Sequence, residues 1–208
     1  MLQARLRSLF CLGWRVMRGL LLVGLVSACS PKYDWRTVHD DAGRYAIEFP
    51  AKPNTAARDV PLGEPFGLLR MTMQSARSDE TFAIGYIDLP GANDTSSAEA
   101  EQFGREQLAL LKARLQAALL QNLNNATATA PQMVVIKEAD GKKRSGEMWQ
   151  AQSTDKRVVR AYFADKQGRV YQVVVIGAAQ TGDAGNMHFD DAHFDEVASQ
   201  FLNSFVLD

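Results

Sequence analysis

The sequence predicts an α+β domain, an antiparallel β-sheet with packed helices, preceded by a removable N-terminal segment. Several short segments alternate apolar and polar residues at period two, whereas two longer ones repeat apolar residues at spacings of three and four. Their order is two or three strands, a helix, four strands and a second helix, without the strict β-α alternation of a parallel sheet. The 208 residues give room for one ordinary domain plus a short leader.

The elements follow in chain order. "GRYAIEFP" at 43–50 sets Tyr45, Ile47 and Phe49 against Ala46 and Glu48, a half-buried strand closed by Pro50. "AKPNTAARDVPLGEPFG" after it is rich in Pro and Gly and reads as loop. Residues 68–77 and 81–90 alternate again around a short "SDE" connection and predict a hairpin. Ser96 with Glu99 fits a capping box, and Leu108, Leu111, Leu115, Ala118 and Leu119 share one face of the helix that follows. From Met133 the period returns to two. "MVVIKEA", "GEMWQAQ", "KRVVRAYFA" and "GRVYQVVVIG" predict an antiparallel meander with turns at "DGKK", "STDK" and "DKQG". The last segment predicts a helix capped by Asp190 or Asp191, burying Phe194, Val197, Ala198, Phe201 and Leu202.

The leader is read from its punctuation. Arg5, Arg7, Arg15 and Arg18 lie among apolar residues, and residues 19–28 are uncharged and end in Ser27 and Ala28. That is the order of an export signal: a basic region, an apolar run and a small-residue cleavage site. A membrane span needs about 20 consecutive apolar residues, and Arg18 cuts this run to roughly half. "LVSAC" at 25–29 resembles the bacterial lipobox, with Val26, Ser27 and Ala28 before an obligatory cysteine. The resemblance implies a diacylglyceryl group on Cys29 and cleavage just before it. "VSA" also fits ordinary signal peptidase, which leaves Cys29 an exported thiol with no partner, because Cys11 lies within the leader. Ser30 stands where an aspartate would resemble an inner-membrane retention signal, so the expectation is the outer membrane, facing the periplasm. The expected organisation is a signal peptide over 1–28, a lipidated tether over 29–36 and one domain over 37–208.

Charge excludes one class of partner. The chain has 23 bases and 24 acids; four arginines and no acid lie before Cys29, so the remainder is mildly acidic. A nucleic-acid binder needs a basic face, and "KKR" at 142–144 reads as a solvated hairpin tip. The predicted partners are the membrane, through lipid on Cys29, and an unidentified envelope protein or lipid.

The residues give little chemistry. "HFDDAHFDE" collects His188, Asp190, Asp191, His193, Asp195 and Glu196, side chains of the types that bind divalent ions. The two histidines are five apart, however, and acids also gather at a helix start to cap it and oppose its dipole. His39 beside Asp40 and Asp41 reads as a turn before a strand. No G-x-S-x-G occurs, "RSGEM" and "QTGDAGN" lack nucleotide-loop spacing, and Glu48, Glu80 and Glu99 fall on different elements. No catalytic, cofactor or metal residue is assigned. Trp149 and Tyr171 each face either the core or a pocket, and alternation leaves that open.

Three stretches carry a resemblance: "GRYAIEFPAKP", "GEMWQAQ" followed by "VVRAYFADKQGRVYQVVVIG", and "FLNSFVL". An aromatic strand ending in Phe-Pro, an Arg-x-Tyr strand and a final Ser-Phe are similar to the bacterial branch of the PsbP-like fold group. That group is named for a photosystem II subunit and includes a eukaryotic Ran-binding protein. The resemblance implies an α/β/α sandwich in a group whose members are mostly binding or assembly factors; the lipobox, the short tether and the absence of catalytic motifs give the expectation of a non-enzymatic binding or assembly role near the membrane. A metal-dependent envelope enzyme using the cluster from His188 to Glu196 is the alternative.

Overall fold

Strands β1 (Arg36–Asp40) and β2 (Tyr45–Phe49) form a hairpin in which Asp40 faces Tyr45. Its turn is fastened by Asp40, whose carboxylate accepts from the Gly43 amide at 2.7 Å and from Gln74 Nε2 at 2.9 Å. The HDD stretch is thus a strand end and turn, with a structural aspartate. The computed structural model describes residues 32–92, 96–124, 126–177, 180–181, 187–188 and 191–208. The chain divides into two units, 1–34 and 35–208, and every element named below belongs to the second.

β3 (Asn54–Gly63), β4 (Gly67–Arg77) and β5 (Thr81–Asp88) form an antiparallel meander, followed by α1 (Ala98–Asn122) and the short β6 (Thr127–Ala128). β7 (Gln132–Glu138), β8 (Lys143–Gln152), β9 (Val158–Lys166) and β10 (Arg169–Gly177) form the second meander. β11 (Gln180–Thr181) pairs with β12 (Met187–His188), and α2 (Asp191–Asn203) leads into β13 (Val206–Leu207). The main sheet runs β1-β2-β13-β7-β8-β9-β10-β5-β4-β3, with β6 added beside β8.

The expected antiparallel α/β/α sandwich with packed helices is not formed. The described residues are mostly β, about half of them in strands, and the ten-strand path curls into a half-barrel. The sheet is mixed, because β13 runs parallel to β7 and antiparallel to β2. Curling has a simple cause: right-handed twist accumulates from strand to strand, and open sheets approaching ten strands curl, split or flatten. The helices do not build two covering layers: α1 lies chiefly against β3, β9 and β10, and α2 against β2, β9 and β10. A second correction concerns β3, expected as loop. It is an edge strand whose register shifts between Pro61 and Gly63, and both an edge and a bulge tolerate a proline such as Pro61.

Local signals set the helices. Ser97, one residue beyond the expected cap, has extended backbone, and its Oγ accepts from the Ala100 amide at 3.1 Å. Gly104 is required where α1 passes the loop after β5, since a Cβ there would lie 2.6 Å from the Ala92 carbonyl oxygen. Leu108, Leu111 and Leu115 pack on Val60, Met71, Ile87, Phe163, Val170 and Val174 in one cluster. On the opposite side of the sheet, Phe201 of α2 meets both Phe49 and Phe82 at 5.2 Å between ring centres. Fully burying one such ring contributes about 1.5–3 kcal/mol. Phe194, Val197, Ala198, Phe201 and Leu202 are all buried, as the period-3.6 pattern predicts.

Candidate binding surface

Register shows which part of the sheet is left uncovered. In β8, Glu147 points to α1: its carboxylate takes Lys112 Nζ at 2.7 Å and Gln116 Nε2 at 3.0 Å. Directly opposite residues in an antiparallel pair share a side. Met133 lies opposite Glu147, Val135 opposite Ser145 and Lys137 opposite Lys143, so these residues of β7 stand on α1's side, beyond the reach of the helix. The same side continues through Val206 of β13 and Ala46 and Glu48 of β2 to Thr37 and His39 of β1. Every one of these residues is half-buried or exposed; Met133 is 71% and Val135 66% exposed. The reverse side of the same strands is closed, with Tyr45, Ile47, Phe49, Ile136, Glu138 and Leu207 buried.

Electrostatics distinguish this patch from an ordinary solvated strand. Lys137 and Lys143 stand directly opposite each other, and neither makes an ion pair among the described residues. The neighbouring acids are engaged elsewhere. Glu138 points the other way and accepts from Lys166 Nζ at 2.7 Å and Arg144 Nε at 2.9 Å; the Lys166 bond above all holds its carboxyl below the ordinary range. Burial pushes the Glu147 carboxyl up, but hydrogen bonds from Lys112 and Gln116 and the Lys112 charge outweigh it and hold the group low. Both carboxylates are therefore ionised at neutral pH and committed to other cations.

One end of the sheet is locked by a second polar cluster. Arg169 donates to both Asp88 oxygens, at 2.6 and 2.8 Å, and to the Ala42 carbonyl at 2.7 Å, while its guanidinium lies 4.2 Å from the Tyr86 ring centre. Tyr171 donates to the Gly43 carbonyl at 3.0 Å. Burial raises the phenol pKa of both Tyr171 and Tyr45, so both stay neutral donors. Arg169 and Tyr171 together tie the β1–β2 turn to β10 and fix the orientation of the open strands.

No protein-family model matches the sequence, and no curated protein does. The fold is similar to the solution structure of cyanobacterial PsbP (CyanoP) from Synechocystis sp. PCC 6803. The TM-score is 0.42 at 14% identity, over 87% of this chain and 96% of the other. No residue of the open face is assigned from CyanoP.

The other sequence candidates separate in space or fall outside the description. Cys29 and Asp190 lie outside the described residues, and His188 and Asp191 are described in backbone only. Asp195 is paired with Arg160 at 2.6 Å, and His193 Nε2 lies 3.9 Å from Glu80. Among the described residues no three His, Cys, Asp or Glu side chains form a metal cluster. Tyr171 is core, 1% exposed, and Trp149 is half-buried against Phe163 at 6.3 Å in the α1 cluster. The "KKR" tip divides: Lys142 binds Asp140, Arg144 binds Glu138, and Lys143 joins the open face. An open cleft of about 830 Å³ runs along β6, β8 and β9 with mixed polar lining from Thr129, Gln152, Ser153 and Arg160, and the Arg160–Asp195 ion pair closes its charge balance.

Period-two alternation places "MVVIKEA" in the meander but does not say which side of it the helix leaves open, and four consecutive apolar residues blur the two sides. Lys137, which ends the apolar run, was the available signal.

Proposed function

We propose that the protein is a non-enzymatic bacterial envelope lipoprotein, a binding or assembly factor held by lipid on Cys29 in the outer membrane and facing the periplasm. The observation that supports a binding role is the open side of β7, where Met133 and Val135 are exposed beside two lysines with no ion-pair partner among the described residues. Met133 and Val135 are two apart in β7 and so stand on the same side of the strand, an apolar pair that an occupant could cover. The lipobox residues Val26, Ser27, Ala28 and Cys29 support the anchor. A diacylglyceryl group supplies two chains, the number at which lipid anchoring becomes stable.

Two measurements test the two halves. Mass spectrometry of the mature N-terminal peptide finds an acylated Cys29 on this reading; an unmodified thiol there contradicts the anchor. A photocrosslinking amino acid at Val135 in intact cells gives a reproducible adduct with one protein or with phospholipid. Adducts no different from those of a probe at exposed Gln121 would contradict the binding role.

A further inference from the structure

We infer that the open side of β7 rests on the membrane itself, with Met133 and Val135 entering the headgroup region and Lys137 and Lys143 meeting lipid phosphates. This deepens the binding role proposed above by naming its partner as an anionic phospholipid surface. Three features of the face point that way.

The first is charge. Two lysines directly opposite each other repel, and among the described residues neither has an acid partner. An anionic surface supplies the missing counter-charge to both at once. The chain beyond Cys29 carries more acids than bases and is repelled by such a surface in most orientations. Presenting the lysine pair is what selects this one, with Glu48 and His39 at the far margin of the face.

The second is size. The face spans four strand spacings, from β8 to β1, by the length of β7, on the order of 400 Å². A standard protein complex buries about 800 Å² per partner. The patch is thus too small to hold a protein by itself, whereas a bilayer needs no matching shape and a peripheral contact suffices beside a lipid anchor.

The third is position. The chain joins the sheet at β1, at the edge of this same face. The residues from Cys29 to Trp35 reach at most about 25 Å when extended. A domain on so short a tether stays within contact distance of the lipid.

The experiment uses the full chain carrying an environment-sensitive nitrobenzoxadiazole label at Val135→Cys, reconstituted into vesicles of phosphatidylethanolamine with phosphatidylglycerol and into vesicles of phosphatidylcholine alone. The label at 135 shifts to the blue and is quenched by doxyl-lipids in the anionic vesicles. The shift is lost in phosphatidylcholine and in the Lys137→Glu/Lys143→Glu chain, whose melting temperature is not lowered. A label at Gln121→Cys reports water in both vesicles. The same aqueous emission at 135 and 121 in anionic vesicles overturns the inference, and so does a shift at 135 that appears only when envelope proteins are added back. Intact mass of the same sample reports acylation of Cys29 separately, so failure of the anchor and failure of the docking face are told apart.

Discussion

Lys137 stands directly opposite Lys143 across the β7–β8 ladder, with Glu138 and Glu147 turned to other cations. Like charges in that position destabilise a sheet, by about 0.2–1 kcal/mol on the scale of cross-strand pairs. Lys143→Glu is expected to raise the urea midpoint of the domain by a corresponding amount while weakening vesicle binding. Stability and binding moving in opposite directions is the signature of a surface kept for contact; a fall in both would mean that Lys143 supports the fold.

The Arg169 clamp makes a different prediction. Its side chain is 8% exposed and satisfies Asp88 and the Ala42 carbonyl together. Arg169→Met keeps the packing volume but loses those bonds, which water can partly replace because Asp88 is 59% exposed, at a cost of about 1–2 kcal/mol. Tyr171→Phe removes the bond to Gly43 and the hydroxyl's contact with Arg169, and costs about 1–2 kcal/mol. Denaturant unfolding monitored by tryptophan fluorescence reads both. A negligible effect of Arg169→Met would show that the turn does not depend on the clamp.

Glu138 sets an acid limit. Hydrogen bonds from Lys166 and Arg144 lower its folded pKa below the ordinary glutamate value of 4.5, whereas in the unfolded chain those partners are lost. Its contribution is therefore complete above the unfolded value and disappears as pH falls through the folded one. Urea midpoints measured downward from pH 4.5 should drop more steeply for the natural chain than for Glu138→Gln, which begins lower and is flatter. Parallel profiles would remove Glu138 from the acid transition.

Zinc should do nothing. Among the described side chains of the cluster, Asp195 is held by Arg160 at 2.6 Å and His193 faces Glu80, so a cation using either of these two would compete with an existing pair. The expected result is an unchanged melting temperature with added zinc, alike for the natural chain and for His188→Ala/His193→Ala. A zinc-dependent rise abolished by that double substitution would support metal chemistry there.

Much of the fold was legible because it is local. β2, β4, β5 and the meander β7–β10 follow period-two alternation, and α2 follows its apolar stripe. What failed was long-range or context-dependent. β13 has two residues and acquires meaning only by joining β2 to β7 across more than sixty positions. β3 hid behind its Pro and Gly because an edge strand tolerates them. Curl belongs to the whole sheet and to no segment. The open face needed the pairing of Met133 with Glu147 and the point where α1 stops covering, neither of which a run such as "MVVIK" records.

The most direct test uses the thioether already in the face. Met133 is 71% exposed and Met71 is 4% exposed, so one chain carries both a reporter and an internal control. Mild peroxide oxidation followed by peptide mass spectrometry should convert Met133 to its sulfoxide readily in purified protein, more slowly in native envelope membranes, and readily again after Lys137→Glu/Lys143→Glu. Met71 should remain slow throughout. Equal rates at Met133 in purified protein and in membranes would contradict the claim that this side of the sheet is covered where the protein works.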